Sequence, residues 1–313
     1  MENFEIIVVN PEIKKNECYS SLISIFLNSK KPKTVRSYAG DIGDFCEFLQ
    51  CDSNTHAARV LLTKSSGEAN ATVLSYRSRL SEKGLSPSTI NRRLSAIRSL
   101  SKLARLLGII SWTIEVDGLK SEKYRNTRGP QDDVVAKMIF AAKKREDSKG
   151  LRDEAIIRLL YDLALRRGEV CSLDIEHVNL QLGTVSVLGK GRNERIQLTL
   201  PSKTKEVLMK WIEARGSQSG PLFTALDNSS KGHRLTGEAI WKIVTQAGES
   251  LGHYVRPHGL RHSAITKALD LTSGDVRKVQ RFSRHRDIRV LTVYDDSRRD
   301  MAGEVASLIS DTV

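Results

Sequence analysis

Hydrophobic positions recur at steps of three and four residues through the first third of the chain. In the stretch KPKTVRSYAGDIGDFCEFLQ, the recurring positions are Val35, Tyr38, Ile42, Phe45 and Leu49. This spacing places them on one face of a helix. The next pattern, ATVLSYRSRLSEKG, predicts a second helix that ends at Gly84, because glycine commonly terminates helices.

The clearest helical pattern of this region lies between Ser86 and Gly108. Ser86 can cap its start, Pro87 suits the first turn, and Gly108 can close its end. The predicted buried stripe consists of Ile90, Leu94, Ile97, Leu100, Leu103 and Leu107. The basic residues that lie off this stripe are Arg92, Arg93, Arg98, Lys102 and Arg105.

Periodicity is lost before Pro130 and resumes with helical patterns after it. Within the second half, TVSVLGKGRNERIQLTL alternates on both sides of a glycine-flanked turn and predicts a β-hairpin. The fold class is therefore mainly α in two domains, the second being α+β with a small sheet. The predicted segments are a loosely held lead (1–17), a helical domain (18–113), a basic linker (114–130) and a second domain (131–313).

Length and composition fit this organisation. A chain of 313 residues exceeds a typical single core, and 39% hydrophobic with 28% charged residues is ordinary for a globular protein. No apolar run has membrane-spanning length, and the first residues lack a secretion signal, so we expect a cytoplasmic protein. The four cysteines form no C-x-x-C pair, and we assign them no chemistry.

The charge balance points to a polyanionic partner. The formal net charge is +13 and the sequence pI is near 9.6, values that favour binding to nucleic acid. The basic residues are spread over many predicted helices and do not form a tail. We interpret the basic residues of the 86–108 helix as contacts to DNA phosphates, the alternative being a solvated helix face.

The second domain contains residues suited to one kind of chemistry. Each of them alone has an ordinary structural explanation, such as a helix-ending arginine or an exposed lysine in a turn. Together they occur in one order in one domain of a basic protein. In chain order they are Arg166 with Glu169, Lys190 at the hairpin tip, His258 and Arg261 in YVRPHGLRHSAITKAL, His285, and Tyr294.

This set resembles the tyrosine recombinase/phage integrase family, particularly its compact Xer-like members. The family has an arginine followed by an acidic residue, a hairpin lysine, H-x-x-R, a His or Trp, and a nucleophilic tyrosine. The first domain is similar to the family's helical core-binding, SAM-like domain, so the resemblance covers roughly residues 20 to 311. Two positions depart from it: Ala164 and Arg284 stand where the family usually or often has glycine, and both could alter loop geometry.

The resemblance implies a catalytic second domain that breaks and rejoins DNA. Tyr294 would attack phosphorus and form a 3′-phosphotyrosyl link, while Arg166 and Arg261 clamp the charged oxygens. Lys190 would protonate the leaving 5′-oxygen as general acid. His258 would assist the phenol proton transfer or hold a phosphate oxygen, and His285 would hydrogen-bond the transition state. Glu169 would orient His258 or Arg166; we expect no metal and no ATP.

The implied partner is double-stranded DNA, bound by a homo-tetramer that joins two duplexes through a Holliday junction. The C-terminal helix DMAGEVASLIS would dock onto a neighbouring subunit or pack on its own domain. Two other functions remain open at this stage. One is a type IB topoisomerase, against which the core-binding-like domain argues, and the other is a non-catalytic DNA-binding accessory protein.

Overall fold

The computed structural model describes residues 11–29, 32–120, 129–189, 194–296 and 301–312. The chain divides into two compact units, Met1–Tyr124 and Arg125–Val313. Both units are mainly helical, and the second also contains a small antiparallel sheet, as predicted. Within the described ranges, none of the helices has both the length and the apolar character that crossing a membrane requires.

The first unit is a packed set of helices. In chain order they are α1 (Pro11–Asn28), α2 (Pro32–Phe48), α3 (Asn54–Leu62), α4 (Ser66–Glu82) and α5 (Pro87–Leu106). Helix α1 begins inside the segment that the sequence predicted as a loosely held lead, and it buries Tyr19, Leu22 and Phe26 in the core. Residues 1–10 of that predicted lead lie outside the described residues.

Helix α5 is the centre of the first unit. Its predicted capping is confirmed: the Ser86 hydroxyl accepts the backbone N–H of Thr89. Gly108 follows the helix with φ +71°, a conformation that glycine adopts without strain. Of the predicted buried stripe, Ile90, Leu94, Ile97 and Leu100 are buried in the core shared with α2 and α4, and Leu103 is partly buried. Its last member, Leu107, was predicted wrongly: it is 47% exposed, because it lies at the C-terminal cap, beyond the last helical residue. Ile114 and Val116, within the predicted linker, are also buried in this core.

The second unit surrounds helix α7 and a short sheet. Its helices are α6 (Asp132–Lys143), α7 (Ser148–Tyr161), α8 (Arg167–Cys171), α9 (Ser202–Arg215), α10 (Gly237–Glu249), α11 (Pro257–Leu271), α12 (Val276–Ser283), α13 (Arg289–Asp296) and α14 (Met301–Ser310). A 3-10 turn (Ile175–His177) precedes the strands β1 (Val178–Asn179), β2 (Thr184–Leu188) and β3 (Arg195–Thr199). The strands pair antiparallel in the order β1-β2-β3, which confirms the predicted hairpin.

Helix α7 carries the main core of this unit. It packs against α6, α9 and α11, and eight of its 14 residues are buried, including Leu159 and Leu160. Such burial contributes about 1.5–3 kcal/mol for each large aliphatic side chain. The chain then leaves α7 through a tight turn at Leu163 and Ala164, which leads directly to Arg166. The rigid helix therefore fixes the place where the first candidate arginine emerges.

A smaller cluster forms beside this core. Helices α11, α12 and α13 meet around the buried side chains of Ile265, Leu269, Val279 and Leu291. Tyr294 belongs to the same cluster, so its aromatic ring is fixed by apolar packing within its own chain. On the other side of α11, the Ser263 hydroxyl donates to the carbonyl of Pro130, at the end of the predicted linker.

Candidate active site

Glu169 orients Arg166 at the start of α8. One carboxylate oxygen accepts the Arg166 Nη1 at 2.8 Å, and the other accepts the Arg166 backbone N–H at 2.9 Å. Glu169 is buried, whereas Arg166 retains 28% of its side-chain exposure. Of the two partners predicted for Glu169, the structure brings it to Arg166. The carboxylate therefore holds a guanidinium that is still open to solvent.

Arg261, on the first turns of α11, is completely buried, in contrast to the partly exposed Arg166. Its Nη1 donates to the carbonyl of Ala164, and its Nη2 donates to the carbonyl of Ser283. Its Nε is buried and has no hydrogen-bond partner among the described residues. Burial, with the nearby charge of Arg166 as the next cause, lowers the pKa of Arg261 to about 9. The guanidinium remains protonated at neutral pH and places a positive charge in the interior.

His285 is held between Arg261 and Ser283. Arg261 Nη2 lies 3.4 Å from the imidazole Nε2, and the Ser283 hydroxyl lies 2.9 Å from Nδ1. Burial, followed by the charge of Arg261, lowers the pKa of His285 to about 4, so the ring is neutral at pH 7. Because arginine only donates, Nε2 is the acceptor and Nδ1–H is the donor to Ser283.

Tyr294 is hydrogen-bonded to a histidine that the sequence did not identify. Its phenolic oxygen lies 2.6 Å from Nδ1 of His262, and the residue is only 3% exposed. Burial, with the charge of His258 next, lowers the pKa of His262 to about 3. A neutral imidazole offers one acceptor nitrogen, so Nδ1 can accept the phenol proton when Nε2 carries the ring hydrogen.

Two imidazole rings lie beside the ring of Tyr294, and a third packs against one of them. The ring centroid of His262 lies 5.2 Å from that of Tyr294, and the centroid of His285 lies 6.2 Å from it. His258, exposed at the N-terminal end of α11, packs edge-on against His262 at 4.2 Å. The structure thus brings together Tyr294, Arg261, His285 and His258 from the predicted set, with His262 added at the centre.

The open side of this cluster is a basic pocket of about 410 Å³. The lining residues are Arg166, Arg167, Gly168, Trp241, Arg256, Pro257, His258, Gly259 and His262. They come from the start of α8, from α10 and from the start of α11. Three arginines belong to this lining and none of its described residues is acidic, so the pocket is suited to an anionic group such as a phosphate.

Lys190 lies outside the described residues, as do the residues 191–193 that follow it. The strands on either side are described: β2 and β3 pair with Leu188 opposite Arg195. The prediction of Lys190 as general acid therefore stays a prediction.

The predicted DNA-contacting residues of α5 occupy two kinds of environment. Arg92 Nη1 and Arg93 Nη1 each lie 2.5 Å from a carboxylate oxygen, of Asp41 and Asp44 respectively. Arg92 is 46% exposed and Arg93 is 18% exposed. Lys102 and Arg105 are exposed, and Arg98 is partly buried beside Ser95. Lys102 and Arg105 are therefore exposed cations without an acidic partner among the described residues, whereas the exposed Arg92 is already paired.

One described cluster has side chains of the metal-binding type. Asp174, Glu176 and His177 bring their ligand atoms within 4.8 Å of one another near the 3-10 turn. Asp174 already pairs with Arg234, and Nδ1 of His177 accepts the backbone N–H of Asp174. The carboxylate of Asp174 and Nδ1 of His177 are thus already used in contacts within the protein, and we assign the cluster a structural role.

His262 is the main site residue that sequence reasoning missed. It follows Arg261 directly and lies four residues after His258, so a helix places both histidines on one side. That spacing was the available signal. Its contact with Tyr294 spans 32 residues and depends on how α13 packs on α11. Trp241 and Arg256 were also missed. Trp241 reaches the pocket only through tertiary structure, whereas Arg256 lies two residues before His258, at the start of α11.

Comparisons with known proteins identify the family of this chain. Residues 131–300 match the phage integrase family, and residues 25–106 match the phage integrase N-terminal SAM-like domain. The tyrosine recombinase slr0733 of Synechocystis sp. is 39% identical over 298 residues, covering 93% of this chain and 94% of that protein. The tyrosine recombinase XerC of Pseudomonas putida (strain W619) is 35% identical over 213 residues, covering 67% and 70%.

Solved structures share the fold at lower sequence identity. XerH recombinase bound to a palindromic difH substrate matches with a TM-score of 0.68 at 18% identity, covering 98% of this chain and 92% of that one. A lambda integrase dimer bound to a COC′ core site matches with a TM-score of 0.63 at 14% identity, covering 94% and 82%. From the sequence matches and the site, the chain belongs to the phage integrase family and is a tyrosine-type recombinase.

Proposed function

We propose that this protein is a site-specific DNA recombinase that acts in the cytoplasm through a covalent 3′-phosphotyrosyl link on Tyr294. The observation that carries the proposal is the 2.6 Å contact between the Tyr294 phenol and neutral His262, beside a cationic pocket. The related XerH and lambda integrase structures hold DNA sites, which supports duplex DNA as the substrate.

The first chemical step forms one bond and breaks another. The Tyr294 oxygen attacks the scissile phosphorus, the phosphorus–O5′ bond breaks, and the DNA 3′ end remains ester-bonded to the tyrosine. A phenol with an ordinary pKa near 10 needs a proton acceptor, and His262 Nδ1 is in place to take that proton. Lys190 gives a proton to the departing 5′-oxygen. His258 then helps to remove the proton from His262 or holds a phosphate oxygen.

The second step reverses the first with a new partner strand. A 5′-hydroxyl from the partner attacks the phosphotyrosyl phosphorus and releases the Tyr294 oxygen, which regains a proton. Because each phosphodiester is exchanged for a phosphotyrosyl ester and back, the reaction conserves bond energy and requires no ATP. The chain also lacks the G-x-x-x-x-G-K-[ST] sequence typical of phosphate-binding loops.

Two guanidiniums would stabilise the charge that develops on the phosphate oxygens. Arg166 is the open one, held by Glu169 at the edge of the pocket. Arg261 is buried, so its direct contact with a phosphate requires local movement, and we propose that release of Tyr294 from His262 provides it. Removing one preorganised donor of this kind costs on the order of 10²–10³ in rate. His285 would hydrogen-bond the same transition state.

The first unit would hold the DNA backbone through α5. Lys102 and Arg105 are exposed, and Arg98 is partly buried. Arg92 and Arg93 belong to the same proposed surface. Each contributes less to DNA affinity, because it is already paired with an aspartate. Contacts of this kind give affinity without sequence information.

Assembly into a homo-tetramer on two DNA duplexes, through a Holliday junction, is the third part of the proposal. Helix α14 exposes Val305, Leu308 and Ile309 to solvent, although all three are strongly apolar. An apolar groove of about 400 Å³ lies between α7, α11 and α12, and the exposed Leu271 is part of its lining. We propose that α14 of one subunit fills this groove on the next.

The test begins by recovering the DNA site. The full-length protein is incubated with fragmented genomic DNA from its source, denatured with detergent, and the protein-linked DNA is sequenced. A nicked duplex built from the recovered sequence then traps the adduct. The short piece between the cleavage site and the nick, which carries the new 5′-hydroxyl, diffuses away and cannot reverse the reaction. We expect a slow-migrating protein–DNA band with wild type and none with Tyr294→Phe.

Three outcomes separate the competing functions. A recombinase exchanges strands between two duplexes that carry the site. A type IB topoisomerase forms the adduct and relaxes supercoils without exchanging partners. A non-catalytic accessory protein binds the duplex and forms no adduct, and that outcome contradicts the proposal.

A further inference from the structure

We propose that Arg284 is a positioning residue of the recombinase reaction, whose guanidinium locks the turn carrying His285 onto the turn carrying Arg166. The inference deepens the proposed function and rests on it. Arg284 directly precedes His285, at a position where the family often has glycine. An arginine there would be a poor replacement for glycine unless its side chain had a use.

The backbone of Arg284 is in the left-handed helical region. It ends α12 with φ 57° and ψ 36°, and its N–H donates to the carbonyl of Gln280 at 2.8 Å. This conformation is unfavourable for a residue with a Cβ atom, and glycine or asparagine would adopt it more readily. The turn is thus retained at a conformational cost, which the contacts of the side chain offset.

The guanidinium of Arg284 reaches across to the end of α7. Its Nη1 donates to the carbonyls of Leu163 at 3.0 Å and Phe282 at 2.9 Å. Its Nη2 donates to the carbonyl of Ala164 at 2.9 Å and lies 3.3 Å from a carboxylate oxygen of Glu169. One side chain therefore joins the C-terminus of α12 to the α7–α8 turn.

Glu169 connects this link to Arg166. One of its oxygens bonds the Arg166 guanidinium, and the other faces both Arg284 and the Arg166 backbone N–H. A carboxylate bonded at both oxygens has a fixed plane. Arg284 thereby fixes the direction in which Glu169 holds the open arginine of the pocket.

Ala164 completes the arrangement from the opposite side. It is the second position at which the sequence replaces the family's glycine, and it too has a positive φ, of 45°. Its carbonyl accepts hydrogen bonds from both Arg261 and Arg284. The two unusual residues are therefore bonded to each other, and the shared carbonyl also anchors Arg261.

Arg284 acts through these neighbours and does not contact the phosphate. Its side chain is only 7% exposed, and its terminal nitrogens are directed to protein oxygens. Its charge is one of the lesser causes that lower the pKa of His285. The guanidinium therefore also helps to keep that imidazole neutral.

The test compares the same substitution at two arginines of one region. Arg284→Asn keeps a residue that tolerates the left-handed conformation but removes the fork, while Arg281→Asn removes an exposed charge from α12. Arg284→Gly removes the strain entirely, and Arg284→Lys keeps the charge. Single-turnover cleavage of the nicked duplex is measured at saturating and at limiting DNA, with thermal unfolding as the fold check.

We expect Arg284→Asn and Arg284→Gly to cleave roughly tenfold to a hundredfold more slowly at saturating DNA, since displaced catalytic groups cost this much. The DNA concentration at half-saturation should change less than twofold, and Arg284→Lys should recover part of the rate. Adding Glu169→Gln to Arg284→Asn should lower the rate little further. Cleavage within twofold of Arg281→Asn, or losses that multiply in the double variant, would overturn the proposal.

A second readout separates this proposal from the reaction itself. The ring of His285 is titrated by NMR in wild type, Arg284→Asn and Arg281→Asn. We expect the pKa of His285 to rise only in Arg284→Asn, because only that variant removes a neighbouring cation. If wild type forms no covalent adduct, the proposed function fails, and the positioning contact is still decided by this titration. Equal His285 titrations in all three proteins would overturn it.

Discussion

The phenolic oxygen of Tyr294, whose side chain is buried, lies 2.6 Å from Nδ1 of His262, which is partly buried. The ring of Tyr294 packs among the apolar residues of α11, α12 and α13. The proposed nucleophile is thus held within its own chain, against a histidine that is neutral at pH 7 because its pKa is lowered. The proposed proton acceptor is therefore in contact with the phenol before any substrate arrives.

The contact predicts that His262 is needed for cleavage. His262→Ala should slow single-turnover cleavage by about 10²-fold, the lower end of what a positioned acid or base contributes. His262→Asn, whose amide oxygen can accept a hydrogen bond near the Nδ1 position, should lose less. His253→Ala, at an exposed histidine of the loop before α11, serves as the control and should cleave normally. Equal rates for His262→Ala and His253→Ala would contradict the assignment.

The two partly buried, neutral histidines predict a free energy of unfolding that falls on mild acidification. In the unfolded chain both imidazoles have pKa values near 6.5, whereas folding lowers that of His262 to about 3 and that of His285 to about 4. Between pH 7.5 and 5.5 the unfolded state therefore binds protons that the folded state does not bind, and the free energy of unfolding decreases. Burial is the main cause that opposes protonation of His262, followed by the charges of His258, Arg261, Arg256 and His285.

Urea unfolding at several pH values measures this effect. The double variant His262→Asn/His285→Asn should show a smaller decrease in the free energy of unfolding over that range. The variant His253→Asn should follow wild type. A wild-type stability that is constant between pH 7.5 and 5.5 would show that both imidazoles titrate normally.

Arg166 and Glu169 should give different mutational signatures. Arg166→Lys keeps a positive charge on a partly exposed site, so the protein should fold normally but cleave on the order of 10²–10³ more slowly. Glu169→Ala leaves Arg166 and Arg284 without their carboxylate, and it should also lower the free energy of unfolding by about 3 kcal/mol. Thermal unfolding and cleavage rates together measure this. A normal rate for Arg166→Lys would remove Arg166 from the chemistry.

Substitutions of the α5 cations should affect either DNA binding or stability, depending on the surroundings of each side chain. Lys102→Gln and Arg105→Gln should each reduce the salt dependence of DNA binding by about 0.9 in the log–log slope, with little change in stability. Arg93→Gln should mainly destabilise the first unit, because it leaves Asp44 without its ion pair. Binding titrations at several salt concentrations and urea unfolding separate the two effects. An unchanged slope for Arg105→Gln would exclude it from the DNA surface.

Assembly should depend on the apolar face of α14. Leu308→Glu should abolish exchange between two duplexes and higher-order complexes, while trapping of the adduct on one nicked duplex persists. Leu182→Glu, at an exposed leucine between β1 and β2, is the matched control. Analytical ultracentrifugation with and without the nicked duplex measures the assembly. Normal synapsis by Leu308→Glu would place the interface elsewhere.

Local sequence rules predicted the features that are built from neighbouring residues. Ser86 and Gly108 bound α5, and the alternation around the glycine-flanked turn identified the β2–β3 hairpin. The Arg166–Glu169 pair could also be predicted, because a spacing of three positions at the start of a helix brings the two side chains together. These features depend on backbone geometry over a few positions.

The remaining features depend on tertiary packing. The bond from Tyr294 to His262 exists because α13 packs on α11. The pairing of Arg92 with Asp41 joins residues 51 positions apart, and it converts part of a predicted DNA face into an internal ion pair. Arg284 shows the same limit: its departure from glycine was visible in the sequence, but its contacts with Leu163 and Ala164 were not.

Identification of the residue that becomes attached to DNA tests the central claim most directly. The full-length protein is trapped on the nicked duplex, digested with protease and nuclease, and the nucleotide-bearing peptide is sequenced by mass spectrometry. We predict a phosphodiester between the oxygen of Tyr294 and the 3′ carbon of the terminal nucleotide, absent in Tyr294→Phe. Attachment to another residue, attachment through a 5′ phosphate, or strand exchange by Tyr294→Phe would contradict the account.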